Sequence, residues 1–88
     1  MSEFKITHSP EGRRFEIWDG NSAGYVEYEI HDGGLDILHT VVPFHMEGKG
    51  VGSALVKAAY DWARTEGLSP VATCRFARIW LERNPAYS

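Results

Sequence analysis

The chain has one cysteine, Cys74, and four prolines among its 88 residues. A single cysteine forms no internal disulfide, and no pair of Cys or His residues stands at structural-zinc spacing, so neither a disulfide framework nor a bound metal is expected. No window approaches about eighteen consecutive apolar residues, and the N-terminal Met1-Ser2-Glu3-Phe4-Lys5 lacks a basic segment followed by an apolar one. A membrane span and a secretory leader are therefore not expected, and with the lone cysteine this points to a reducing, cytoplasmic setting. Positive charge is scarce too. Nine Lys plus Arg against twelve Asp plus Glu leave a formal charge of −3, the wrong sign for a nucleic-acid footprint.

What is present is an ordinary globular composition, 43% hydrophobic and 24% charged, too apolar for a disordered chain. The length suits one small domain spanning residues 1–88. A chain this short buries only about 60–65% of the surface it exposes when unfolded. Core and site must then share residues, and a homodimer is one way to bury more.

The first half alternates in twos between turn signals, as half-buried strands do. Expected strands cover Phe4 to His8, Arg13 to Trp18, Tyr25 to Ile30 and Leu35 to Val42, with turns at Ser9-Pro10-Glu11-Gly12, Asp19-Gly20-Asn21 and His31-Asp32-Gly33-Gly34. In the third strand Val26, Tyr28 and Ile30 share one face and Glu27 and Glu29 the solvated other. The fourth carries apolar residues on both faces, as a central strand does.

After Pro43 the period changes to that of a helix. Val51, Leu55, Ala58, Ala59 and Trp62 form one stripe opposite Ser53, Lys57, Asp61 and Arg64. This helix should run from about Gly50 to Glu66 and end at Gly67, a residue suited to a left-handed C-terminal cap. Val71 to Cys74 then reads as a second buried strand and Phe76 to Arg83 as a final helix before Asn84-Pro85. Strand, crossover helix and strand make a right-handed parallel unit. The expected fold class is thus α+β, with antiparallel strands, a parallel β-α-β unit and a C-terminal helix.

The segment Glu47-Gly48-Lys49-Gly50-Val51-Gly52-Ser53 lies between a strand and the N-terminus of the long helix. Small residues let backbone approach a ligand closely, and the free N–H groups of a first helical turn favour an anion. Lys49 can add a charge. A nucleotide P-loop needs Gly, four residues and Gly-Lys-Ser/Thr, and that string is absent. The dinucleotide fingerprint counted from Gly48 and Gly50 requires glycine where Ser53 stands, and the chain is too short for a two-halved dinucleotide fold. A phosphate cradle and a plain strand-to-helix turn remain as readings.

This segment resembles the pyrophosphate loop of the GNAT superfamily of acyl-CoA N-acyltransferases, Gln/Arg-x-x-Gly-x-Gly/Ala. Gly50 and Gly52 match, and Glu47 stands where Gln or Arg is usual. The likeness extends over Leu35 to Tyr87. His39-Thr40, Val42-Pro43 and the run Cys74-Arg75-Phe76-Ala77-Arg78-Ile79-Trp80-Leu81-Glu82-Arg83-Asn84-Pro85-Ala86-Tyr87 are similar to the minimal, YidJ-type group of small GNAT-like acetyltransferases. The resemblance implies a GNAT-like mixed sheet whose two parallel strands splay apart, with acetyl-CoA between them and its pyrophosphate on the glycine loop. It also implies that the backbone at Val41 and Val42 bonds the pantetheine arm.

Acetyl transfer needs a deprotonated amine, a polarised thioester and a stabilised leaving thiolate. Cys74, ending a strand before a helix, is a candidate acyl acceptor or proton relay, or else a small buried hydrophobe. His39 is a candidate general base or a core histidine, which alternation would place on the side of Ile37 and Val41. Asn84 either reaches CoA or caps the last helix, and Tyr87 either donates a proton or packs. Phe76 and Trp80, four apart, read mainly as core. Two functions follow: an acetyl-CoA-binding N-acetyltransferase for an unidentified small-molecule or protein amine, or a CoA-binding or interaction module without turnover.

Overall fold

The computed structural model describes residues 4–88; Met1, Ser2 and Glu3, part of the N-terminal segment in which no leader is expected, lie outside the described residues. Among the described residues five strands form one sheet in sequence order: β1 (Ile6–Ser9), β2 (Arg14–Asp19), β3 (Ser22–His31), β4 (Gly34–Val41) and β5 (Ser69–Ala72). The first four meander antiparallel, and β5 pairs parallel with β4 through the crossover helix α1 (Val51–Thr65). Helix α2 (Arg75–Arg83) follows β5 and lies against α1. Among the described residues no helix is long and apolar enough to cross a membrane.

One sheet face carries the core. Phe15 and Ile17 of β2, Val26 and Tyr28 of β3 and Leu35 and Ile37 of β4 are buried, and α1 covers them with the stripe its period announces. Gly24 permits the close approach, since a Cβ there would stand 3.1 Å from a Val51 methyl. Ile30 continues the alternation of Val26 and Tyr28 yet is exposed, because it reaches the end of β3 at the turn into β4. The helix stops as its sequence requires: Gly67 takes φ 71°, the left-handed conformation glycine adopts without steric cost.

Two boundaries differ from expectation. The last strand is Ser69–Ala72 rather than Val71 to Cys74, because β5 is an edge strand where Pro70 can sit despite lacking an N–H. Cys74 consequently does not end a strand but is the N-cap residue of α2.

At the β1 side of the core His8 stacks on Phe15 with ring centroids 3.9 Å apart and meets Trp62 edge-on at 4.5 Å. Its Nε2 shares a 2.6 Å hydrogen bond with the Tyr28 hydroxyl. Burial here disfavours the charged imidazolium and lowers the His8 pKa from its ordinary 6.5. The unfolded chain therefore binds the proton more readily, and stability falls as pH drops below about 6.5 and is recovered above it. Urea midpoints measured at about pH 5 and pH 7.5 should differ less in His8→Gln than in the wild type; an equal difference would mean that His8 does not set this dependence.

Candidate functional site: a cleft between diverging strands

The site begins with a buried charge. Asp36 interrupts the apolar run Leu35-Asp36-Ile37-Leu38 and is only 7% exposed. Its two carboxylate oxygens accept hydrogen bonds from the Thr73 N–H and the Thr73 hydroxyl, each at 2.7 Å. The Cys74 N–H donates to the Ile37 carbonyl at 2.9 Å. These bonds hold the last point at which the strands touch, since regular β4–β5 pairing ends at Ile37 and Ala72. Beyond it β5 turns into α2 while β4 runs on to Val41.

A β-bulge lies at the same point. Glu27 stands opposite His39 and Tyr28 opposite Ile37, which leaves Leu38 as the extra residue of β4. The extra residue shifts the alternation by one. His39 and Val41 therefore do not share the face of Ile37, as simple alternation predicts. His39 is an exposed residue on the sheet face away from α1, across from Glu27. It is not a core histidine.

Past Val41 the chain makes a 3-10 turn, Phe44–Met46, and enters the glycine loop. Gly48 and Gly50 have φ 79° and 80°, so two left-handed steps bend the backbone between Glu47 and the first turn of α1. Gly50 is the N-cap of α1, and among the described residues no side chain caps the N–H groups of that turn. Gly52 is needed for space: a Cβ there would lie 3.0 Å from the Phe76 ring. His45, at the loop's outer side, has its Nε2 3.5 Å from an Asp19 carboxylate oxygen, tying the loop to the β2–β3 turn.

Between the free edge of β4, this loop and α2 lies a cleft of about 600 Å³. Thr40, Val41 and Val42 form one wall, Glu47 to Ser53 with Lys49 excepted form another, and Met46 and Phe76 complete it. Lys49 instead borders a shallow depression beside Trp18 and Asp19. Ser53 and Phe76 are shared with a neighbouring groove of about 440 Å³ that Trp80, Arg83 and Asn84 also line. The Trp80 Nε1–H donates to the Ser53 hydroxyl at 2.9 Å and so couples α2 to the loop end of α1. The cleft joins a helix N-terminus, a geometry that favours an anion, to an unpaired strand edge, whose N–H and C=O groups can bond an extended ligand.

A family model for the GCN5-related N-acetyl-transferase matches residues 14–88. The chain belongs to this acetyltransferase family. Its fold is similar to the NMR structure of a GCN5-like protein from Staphylococcus aureus, described there as a candidate N-acetyltransferase, with a TM-score of 0.76 and 34% identity over 99% of this chain and 86% of that one. Protein NATD1 of Xenopus tropicalis is 29% identical over 87 residues, 96% of this chain and 80% of its own length. Protein NATD1 of Homo sapiens is 35% identical over 51 residues, 58% of this chain and 45% of its own. The mixed α+β fold expected from the sequence is that of GCN5-like acetyltransferases.

Within this acetyltransferase fold the predicted residues fall in several places. Val41, Val42, Glu47, Gly48, Gly50, Val51, Gly52 and Ser53 meet on the cleft. Cys74 stands behind its inner end, where the thiol donates to the Thr40 hydroxyl at 3.4 Å. His39 faces the open side of the sheet. Asn84 caps α2 by donating from Nδ2 to the Trp80 carbonyl at 2.8 Å. Tyr87 is committed elsewhere: its hydroxyl donates to Asp61 at 2.7 Å, its ring meets Trp80 edge-on, and Arg64 lies over it. Sequence reasoning missed Asp36 and Thr40 as site residues, and it assigned Phe76 chiefly to the core although the ring is 45% exposed on the cleft. A carboxylate between Leu35 and Ile37 was the available signal for Asp36, since buried charges need partners.

Asp36→Ala removes both bonds to Thr73 and should cost about 1–3 kcal/mol in urea denaturation, with Thr73→Val, which keeps the backbone bond, costing less. Equal stability of Asp36→Ala and wild type would remove the carboxylate as the anchor of the divergence.

Proposed function

We propose that the protein is an acetyl-CoA-dependent N-acetyltransferase of the minimal YidJ-type group, acting as one domain on an amine. The observation that carries this reading is the uncapped first turn of α1 at Gly50, opening onto the cleft beside the unpaired edge of β4. The N–H groups of Gly48 to Ser53 fit the pyrophosphate, and the backbone at Val41 and Val42 fits the amides of the pantetheine arm. Asn84, in the adjoining groove, borders the cofactor's nucleotide end. Bound acetyl-CoA supplies the activated acyl group. His39, on the open face, takes the proton that the amine nitrogen loses as it bonds the acyl carbon, so the acceptor, a free amine, approaches from the side of the sheet that α1 leaves free. Cys74 does not line the cleft, and we assign it a role through Thr40 rather than as an acyl carrier.

A second reading, a CoA-binding module without turnover, is favoured by Glu47 at the usual Gln/Arg position and by Tyr87 turning to Asp61. Calorimetric titration with acetyl-CoA, CoA, ATP and NAD, repeated on a folded Gly50→Glu variant, should give CoA and acetyl-CoA binding that the variant loses. Across an amine panel His39→Gln should lower the rate about 100-fold with acetyl-CoA affinity unchanged. Binding without acetylation of any amine would favour the module, and no binding at all would remove both readings.

A further inference from the structure

Stabilising the leaving thiolate calls for a hydrogen-bond donor on the cleft, and most hydroxyls nearby are already engaged. Tyr60 donates to the Val71 carbonyl at 2.7 Å, and burial raises its pKa. Tyr87 donates to Asp61. Ser53 accepts from Trp80, which among the described residues leaves its own O–H free, but it stands on the first turn of α1, at the glycine-loop end of the cleft. Thr40 differs from all three. It is the cleft residue nearest along β4 to the point where strand pairing ends, and so marks the inner end of the cavity. Its oxygen accepts the Cys74 S–H, which directs its own O–H elsewhere; among the described residues that proton has no recorded acceptor.

The thiol that orients Thr40 is itself well placed. The Cys74 N–H is bonded to Ile37, its carbonyl accepts from the Arg78 N–H at 3.0 Å, and the preceding residue is held by Asp36. We propose that the Thr40 hydroxyl is a catalytic residue that donates a hydrogen bond to the CoA sulfur, with Cys74 as its positioning residue. This inference rests on the acetyl-CoA reading above and supplies the donor that Tyr87, turned to Asp61, does not. The step balances without a further reactant: the amine nitrogen bonds the acyl carbon, the carbon–sulfur bond breaks with its electron pair left on sulfur, and His39 takes the amine proton. Thr40 keeps its own proton throughout, and the departing thiolate is protonated by water.

Affinities for CoA and acetyl-CoA, measured by calorimetry from about pH 6 to pH 9.5, test this without any acceptor. The phosphates are common to both ligands and cancel in the ratio, so only the thiol remains. In wild type and Thr40→Ser the ratio of CoA to acetyl-CoA affinity should rise about tenfold as the thiol ionises against the hydroxyl. In Thr40→Val, a change of similar shape, the ratio should stay flat while acetyl-CoA affinity and thermal midpoint hold. Cys74→Ala should reduce the rise. A rise in Thr40→Val equal to that of wild type, or none in wild type, overturns the inference and leaves the acetyl-CoA reading standing. A wild type that binds neither ligand removes that reading and the inference with it.

Discussion

Everything at the site depends on where two parallel strands stop touching. Asp36 sets that point. A buried carboxylate needs strong partners, and it finds them in the N–H and hydroxyl of Thr73 on the opposite strand. The bulge at Leu38 then bends β4 where β5 leaves it. Without this combination β4 would have a neighbour along its whole length, and no strand edge would be free beside the glycine loop. The separation also leaves the sheet with two different sides, the helix-covered side facing the loop and the bare side carrying His39.

An 88-residue chain has little core to spare, and several contacts serve stability and site together. Trp80 packs near Tyr60 and Tyr87 while its N–H holds Ser53 on the first turn of α1. Phe76 forms a wall of the cleft and occupies the space that any side chain at position 52 would need. Gly24 brings α1 close to β3, seating Val51 beneath the loop. A change at any of these positions would move the cradle as well as the core.

The fold was largely legible because its signals are local. Period-two alternation, glycines at turns and one strong helical stripe identify the four antiparallel strands and α1, and the loop glycines show the left-handed or close-packed geometry that justifies them. The errors have non-local causes. Pro70 appeared to precede its strand because nothing in the sequence says that β5 lies at the sheet edge. His39 was assigned to the side of Ile37 because a bulge carries no composition signal of its own. Thr40 went unnoticed as a site residue because its importance comes from Cys74, thirty-four positions away, which meets it only in the folded chain.

Acetyl-CoA, on this reading, binds in the cleft between the free edge of β4, the glycine loop and α2. Amide chemical shifts followed by NMR during titration with acetyl-CoA test it most directly. The account predicts the largest changes at Gly48 to Ser53 and along Leu38 to Val42, with little change in β1 and β2. Saturable changes centred elsewhere, or no change at all, would contradict it.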